Sequence, residues 1–166
     1  MAPELLTFAS RDVSRWPNGA GRKADIASGA GWMASFAWLD TDAPFSDYSG
    51  QDRTITLLDG PGFTLDFAPP HPALAVRSRH VPSQFDGGWP ARCRILGPCL
   101  VLNAMSVRGQ WRHDVRVLTA PVRLPAPIPG EIAFLVDLTT RDTLRLSEAI
   151  EVSGIPAAHI LFTPDA

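Results

Sequence analysis

Residues 49–67, SGQDRTITLLDGPGFTLDF, decide how this chain reads. Thr54, Ile55, Thr56 and Leu57 give the stretch 53–58 the β-branched and apolar content of a strand. Asp59-Gly60-Pro61-Gly62 is a dense turn signal, because glycine allows positive φ and proline fixes its own φ. Phe63, Leu65 and Phe67 then alternate with Thr64 and Asp66, the period of a half-buried strand. The stretch therefore reads as a hairpin. Ile55 and Leu57 share a face, and Arg53 has the same parity. An unbroken strand then points a guanidinium into the interior. A buried arginine must be paired, and its planar fork suits a carboxylate. The alternatives are a rim arginine paired with Asp52, or a strand that begins after Arg53.

The rest of the chain agrees with a β-rich protein. Its 166 residues suit one domain or two small fused halves. Apolar residues make up 45% of it, enough for a full core. Sixteen prolines and thirteen glycines interrupt it too often for long helices. Five Trp and eight Phe against one Tyr supply aromatic anchors for a core or pocket. A net charge of −2 gives no electrostatic case for nucleic acid. No run approaches the roughly 18 apolar residues of a membrane span. The opening residues lack a basic start followed by an apolar stretch, so no signal peptide and a cytoplasmic location are expected. Cys93 and Cys99 then read as reduced core residues, with a disulfide across Gly97-Pro98 as the alternative.

Along the chain, Leu5 to Trp16 opens ambiguously, with Ser10 placed to cap a short helical turn. Trp16-Pro17-Asn18-Gly19-Ala20-Gly21 is a Gly-rich loop whose glycines permit close backbone approach. It lacks the Lys and Ser/Thr of a phosphate loop. The stretch 31–39 is almost wholly apolar and reads as a strand buried on both faces. Ser35 is its one polar side chain, bonded to backbone or lining a pocket. Phe45 anchors the loop 40–50. Further strands are expected at 74–81, 113–119, 131–138, 141–146 and 159–162, and a second hairpin at 92–105 about Gly97-Pro98. In that hairpin Asn103 shares a face with Val101 and Met105, either tying a neighbouring loop or meeting a ligand. Residues 121–130, PVRLPAPIPG, read as a stiff surface connection, and 147–152 as one helical turn. The count is about a dozen short strands.

Catalytic signatures are missing. His71, His80, His113 and His159 are scattered and do not form the close His-x-His plus carboxylate set of a metal-binding barrel. No metal and no cofactor are expected. There is no Gly-x-Ser-x-Gly elbow, and neither cysteine has a recognisable histidine partner. No catalytic residue is assigned, and nothing forces an enzyme.

Several stretches, taken in order, resemble the HutD/Ves family of small bicupin-like proteins associated with bacterial histidine utilisation. They are Trp16-Pro17-Asn18-Gly19-Ala20-Gly21, Trp32-Met33-Ala34-Ser35-Phe36-Ala37, Pro44-Phe45-Ser46 and Gly50-Gln51-Asp52-Arg53. Leu57-Leu58-Asp59-Gly60-Pro61-Gly62, Phe85-Asp86-Gly87, Cys93, Gly97-Pro98 and Leu102-Asn103-Ala104-Met105 follow. The resemblance implies an all-β double cupin, a bicupin of RmlC-like jelly-roll β-barrels in one compact unit, with approximate halves 1–75 and 76–166. It also implies a non-catalytic regulator that binds a small acidic intermediate of histidine degradation, N-formylglutamate or urocanate. Asn18, Ser35, Asp52, Arg53 and Asn103 match the motif as ligand-binding positions. Ala20, Lys23, Asp25 and Ala43 depart from it. Lys23 stands where a small hydroxyl residue is usual and adds a cation beside the Gly-rich loop.

The expected partner is a small anionic metabolite. Nucleic acid and membrane are not expected, and the oligomeric state is open, a homodimer included. Two other readings stand beside the binding protein. One is a metal-free cupin enzyme such as a sugar isomerase or epimerase, which needs a His or Tyr acid/base in the pocket. The other is a protein-interaction module with a vestigial pocket.

Overall fold

The computed structural model describes residues 3–16 and 19–166. Its regular structure is seventeen strands and one short 3-10 turn, Phe8–Ser10. In chain order the strands are β1 (Glu4–Leu6), β2 (Ser14–Arg15), β3 (Gly21–Gly29), β4 (Trp32–Leu39), β5 (Ala43–Pro44), β6 (Gln51–Asp59), β7 (Phe63–Phe67), β8 (Leu74–Val76) and β9 (Ser83–Asp86). The rest are β10 (Ala91–Ile95), β11 (Cys99–Val107), β12 (Trp111–Leu118), β13 (Val122–Leu124), β14 (Ile132–Asp137), β15 (Thr143–Leu146), β16 (Ile150–Val152) and β17 (Ala157–Pro164).

Four sheets stack as layers. A central sheet has the order β2-β3-β4-β11-β6-β9. One of its faces packs on the sheet β5-β10-β7-β8, through Ala37, Leu39, Ile55, Leu57 and Val101 against Phe63, Leu65 and Cys93. These two sheets form the first barrel. The opposite face packs Trp32, Ala34, Phe36, Leu100 and Leu102 against Phe134, Val136, Ile160 and Phe162 of the sheet β1-β15-β14-β17-β12. That sheet buries its far side under the pair β13-β16 and completes the second barrel. The alternation in β4 and β11 follows from this position. Both strands lie between two cores, so odd and even side chains are apolar alike. Sheet membership changes near Gly109, not at the expected 75/76 division, and β1 returns to the second barrel.

The turn at 59–62 differs from its sequence reading. β6 and β7 are not hydrogen-bonded neighbours. They lie in different sheets, so Asp59-Gly60-Pro61-Gly62 carries the chain around a barrel corner. Gly97-Pro98 does the same between β10 and β11. The two corners touch. A Cβ added to Gly60 would stand 2.3 Å from the Pro98 carbonyl oxygen, and one added to Gly97 3.0 Å from Pro61 Cγ. Gly60 and Gly62 also have φ of +98° and +109°, which only glycine adopts without strain.

Other expectations fail for a common reason, which is long-range pairing. Val122–Leu124 is a strand and not a bare connection, with Leu124 fully buried. Its partner Ile150–Val152 is also a strand, where a helical turn was expected. Neither is stable alone, but each supplies the other's backbone partners while covering Ala133, Leu135 and Ala157. The strand expected at 74–81 stops at Val76, and the short turn runs over Phe8–Ser10 with Thr7 at its N-cap position, so Ser10 ends the turn and does not cap it.

Candidate functional site

β6 brings Arg53 inside the first barrel. Ile55 and Leu57 point into its core, and the period of two carries Arg53 to the same side near the strand's start. Arg53 is only 6% exposed. Its Nη2 makes a long contact of 3.4 Å to Asn103 Oδ1 on the neighbouring β11, and its Nε–H finds no partner. Among the described residues no carboxylate pairs with it. The rings of Phe45, Tyr48 and Phe85 surround it instead, each with its centroid 5.1 Å from Cζ. Such contacts offset part of the lost hydration, each about 0.5–2 kcal/mol. Burial pulls the Arg53 pKa down to about 10, against a smaller opposing effect of Tyr48. The side chain still carries its charge at neutral pH.

A loop and a glycine hold this cage. Tyr48 N–H donates to the Gly87 carbonyl at 2.9 Å, and Gly87 N–H donates to the Gln51 carbonyl at 2.8 Å. A Cβ on Gly87 would fall 2.9 Å from the Tyr48 and Gln51 carbonyls and 3.1 Å from Arg53 Cδ. The segment after β9 therefore lies against the arginine stem because it ends in glycine. On the other side Trp16 packs edge-on against Phe45, with centroids 5.9 Å apart. Gly21 leaves room for Trp16, since a Cβ there would stand 2.8 Å from the indole carbon Cε2.

The result is a cavity of about 400 Å³ in the first barrel. Arg53, Asn103, Ser35 and the sulfur side chains of Met33 and Met105 line it, together with Trp16, Phe45, Ser46 and Tyr48. Ser35 and Asn103 face each other across β4 and β11, which places both in one row. Lys23 and Arg15 also line the cavity. Among the described residues the lining thus holds three cations and no carboxylate.

The structure therefore brings Ser35, Arg53 and Asn103 together. Asp52 does not line the cavity. The same period of two that turns Arg53 inward turns Asp52 away. Its carboxylate accepts from Arg108 at 2.9 Å, and Arg108 also reaches Asp86 at 2.9 Å. The proposed Asp52–Arg53 pair is thus replaced by an Asp52–Arg108–Asp86 cluster on the outside. Asn18 lies outside the described residues. Arg15, Trp16, Phe45, Ser46 and Tyr48 line the cavity without a sequence signal that assigns them to it. They come from loops and a two-residue strand, where periodicity carries no direction. Among the described residues no three His, Cys, Asp or Glu side chains converge as metal ligands. Cys93 and Cys99 are free and buried, and burial pushes the Cys93 thiol up to about 12.

Two antiparallel barrels sharing a central sheet, the first with a basic pocket between its sheets, define a double cupin with a candidate anion site. HutD from Pseudomonas fluorescens SBW25 has this fold, with a TM-score of 0.86 at 20% identity over 99% of this chain and 100% of that one. The chain belongs to the HutD family, whose model matches residues 9–155. It is 34% identical over 123 residues to Protein Ves of Cronobacter sakazakii, covering 69% of this chain and 66% of that protein. It is 32% identical over 105 residues to an uncharacterized 21.2 kDa protein in the hutC 3′ region of Pseudomonas putida, covering 57% of this chain and 53% of that one. The matches thus span about two thirds and about half of the length of these curated relatives. The family is linked to histidine utilisation. No helix among the described residues is long and apolar enough to cross a membrane.

Proposed function

We propose that this protein binds a small carboxylate metabolite in the first barrel, acting in the cytoplasm as a non-catalytic sensor of histidine degradation. N-formylglutamate and urocanate are the candidate ligands. One observation carries the reading: a buried guanidinium with an unpaired N–H, in a cavity lined by no carboxylate among the described residues. A charge in that position is unfavourable until an anion joins it, so a carboxylate gains a partner already stripped of water. Asn103 and Ser35 supply polar contacts, and Trp16, Phe45 and Tyr48 supply apolar walls, the usual make-up of a small-molecule site. The hut-region neighbourhood of the P. putida relative supports the choice of pathway.

Thermal-shift and calorimetric titration with N-formylglutamate, urocanate and formate tests it. Ligand at a hundred times its Kd stabilises the native state by about 2.7 kcal/mol. The expected shift disappears in Arg53→Ala. If no small acid shifts the native protein, the reading fails. A second reading, a metal-free enzyme, is favoured by Tyr48, which lines the cavity over Arg53. NMR of the incubated acids and of sugars separates the two, since a sensor returns them unchanged while an isomerase or epimerase changes the spectrum without changing the mass.

A further inference from the structure

The cavity holds more positive charge than one carboxylate requires, and that charge sits in two places. Lys23 faces inward because Ala24 and Ile26, of opposite parity, pack into the core between the barrels. It pairs across the ladder with Ala37, Ala37 with Val101, and Val101 with Leu57 of β6. Lys23 is therefore three strands from β6, at the level of Leu57, while Arg53 is four residues further along. These steps separate the two backbones by about 14 Å across the sheet and about 13 Å along it. Long side chains close part of that gap, but a single carboxylate does not span the two corners.

The outer corner keeps an excess of positive charge. Arg22 holds Asp40 with two bonds of 2.9 and 3.1 Å, and Lys23 meets Asp25 at 3.1 Å. Arg15 reaches Asp40 only as a more distant charge. Three cations thus face two carboxylates, and Lys23 and Arg15 are the two of them that line the cavity.

Building on the carboxylate reading, we propose that the pocket selects dianionic ligands, with Arg53 taking one carboxylate and Lys23 with Arg15 taking the second. Ser35 and Asn103 occupy the ladder row between those of Arg53 and Lys23, and they border the carbon chain together with Phe45 and Trp16. The ligand class is a short dicarboxylate or an N-acyl amino diacid, in preference to a monoacid of equal length. Lys23 is the residue that makes this chain discriminate.

Isothermal titration with succinate, glutarate and adipate, each against the monoacid of equal length, tests the proposal. At low salt the best diacid is expected to bind at least about tenfold tighter than its monoacid, with the ratio shrinking as salt screens the outer corner. In the Arg15→Gln/Lys23→Gln double variant the ratio falls below about threefold. In Arg53→Met both ligands are lost. Equal affinity for diacid and monoacid in the native protein overturns the proposal while leaving the carboxylate reading intact. A double variant that keeps the native ratio also overturns it. Absence of binding by every acid overturns both.

Discussion

Thr54 Oγ1 and His113 Nε2 lie 2.8 Å apart, joining the two barrels one residue behind Arg53. The other ring nitrogen, Nδ1, lies 2.7 Å from Ser106 Oγ, one residue past Met105. A single imidazole from the second barrel thus braces β6 and β11, the two strands that present Arg53 and Asn103. Burial lowers the His113 pKa, with Asp52 and Asp114 opposing weakly. Its folded value is therefore below the ordinary imidazole value of about 6.5. The native protein resists a proton that the unfolded chain accepts. Stability is then fully present above pH of about 6.5 and is lost as pH falls below it, by at most about 1.4 kcal/mol per pH unit for this group. His80 and His159 are lowered too and act with the same sign. Urea titrations from pH 8 to 5 should show this fall, and His113→Gln should reduce its slope.

Arg53→Met should stabilise the protein while removing its ligand. The native guanidinium is buried without a counter-charge, and an apolar chain in its place avoids that cost. Comparable replacements raise stability by about 1–4 kcal/mol. Denaturant melts of the ligand-free proteins should place the variant above the native form, and carboxylate titration should show no binding. A less stable variant would mean that the Asn103 contact and the aromatic cage outweigh the desolvation.

The touching corners give a graded test. Gly60→Ala puts a Cβ 2.3 Å from a backbone oxygen at positive φ, and Gly62→Ala puts one 2.4 Å from the Val76 carbonyl. Each should cost about 3 kcal/mol or more, because backbone must move. Gly109 also has positive φ, but a Cβ there meets nothing within 4 Å. Gly109→Ala should cost only the conformational strain, about 1 kcal/mol. Chemical denaturation of the three variants measures the difference.

Asp52→Asn should leave carboxylate affinity unchanged. Its carboxylate serves the exposed Arg108 cluster outside the barrel, and such pairs contribute about 0–1 kcal/mol. Any larger loss of ligand affinity, measured by calorimetry, would return Asp52 to the site.

Parity carried the most reliable part of the sequence reading. It turned Ile55, Leu57 and Arg53 the same way, and it gave the stretch around Phe36 two buried faces. Applied one residue earlier it also turns Asp52 outward, but the family motif drew Asp52 into the site. What parity cannot distinguish is a hairpin from a corner. Gly60-Pro61-Gly62 makes a tight reversal in either case, and only the sheet partners of Phe63 decide. The cage around Arg53 was hidden for a related reason. Phe45 and Tyr48 lie in irregular backbone, held by hydrogen bonds from Phe45 N–H to the Ala91 carbonyl and from Tyr48 N–H to the Gly87 carbonyl, partners some forty residues or more along the chain. Val122–Leu124, proline-flanked, showed no strand signal because its partner comes from 150–152.

The sheet containing β4 and β11 is a party wall between two rooms. Neither barrel owns a complete interior, since Phe36 and Leu102 look one way while Leu39 and Val101 look the other. Cutting the chain near Gly109 would leave each part with an uncovered oily surface, so the halves have no independent existence to return to. Melting then proceeds as one event, and an occupant of the first room steadies the second without touching it.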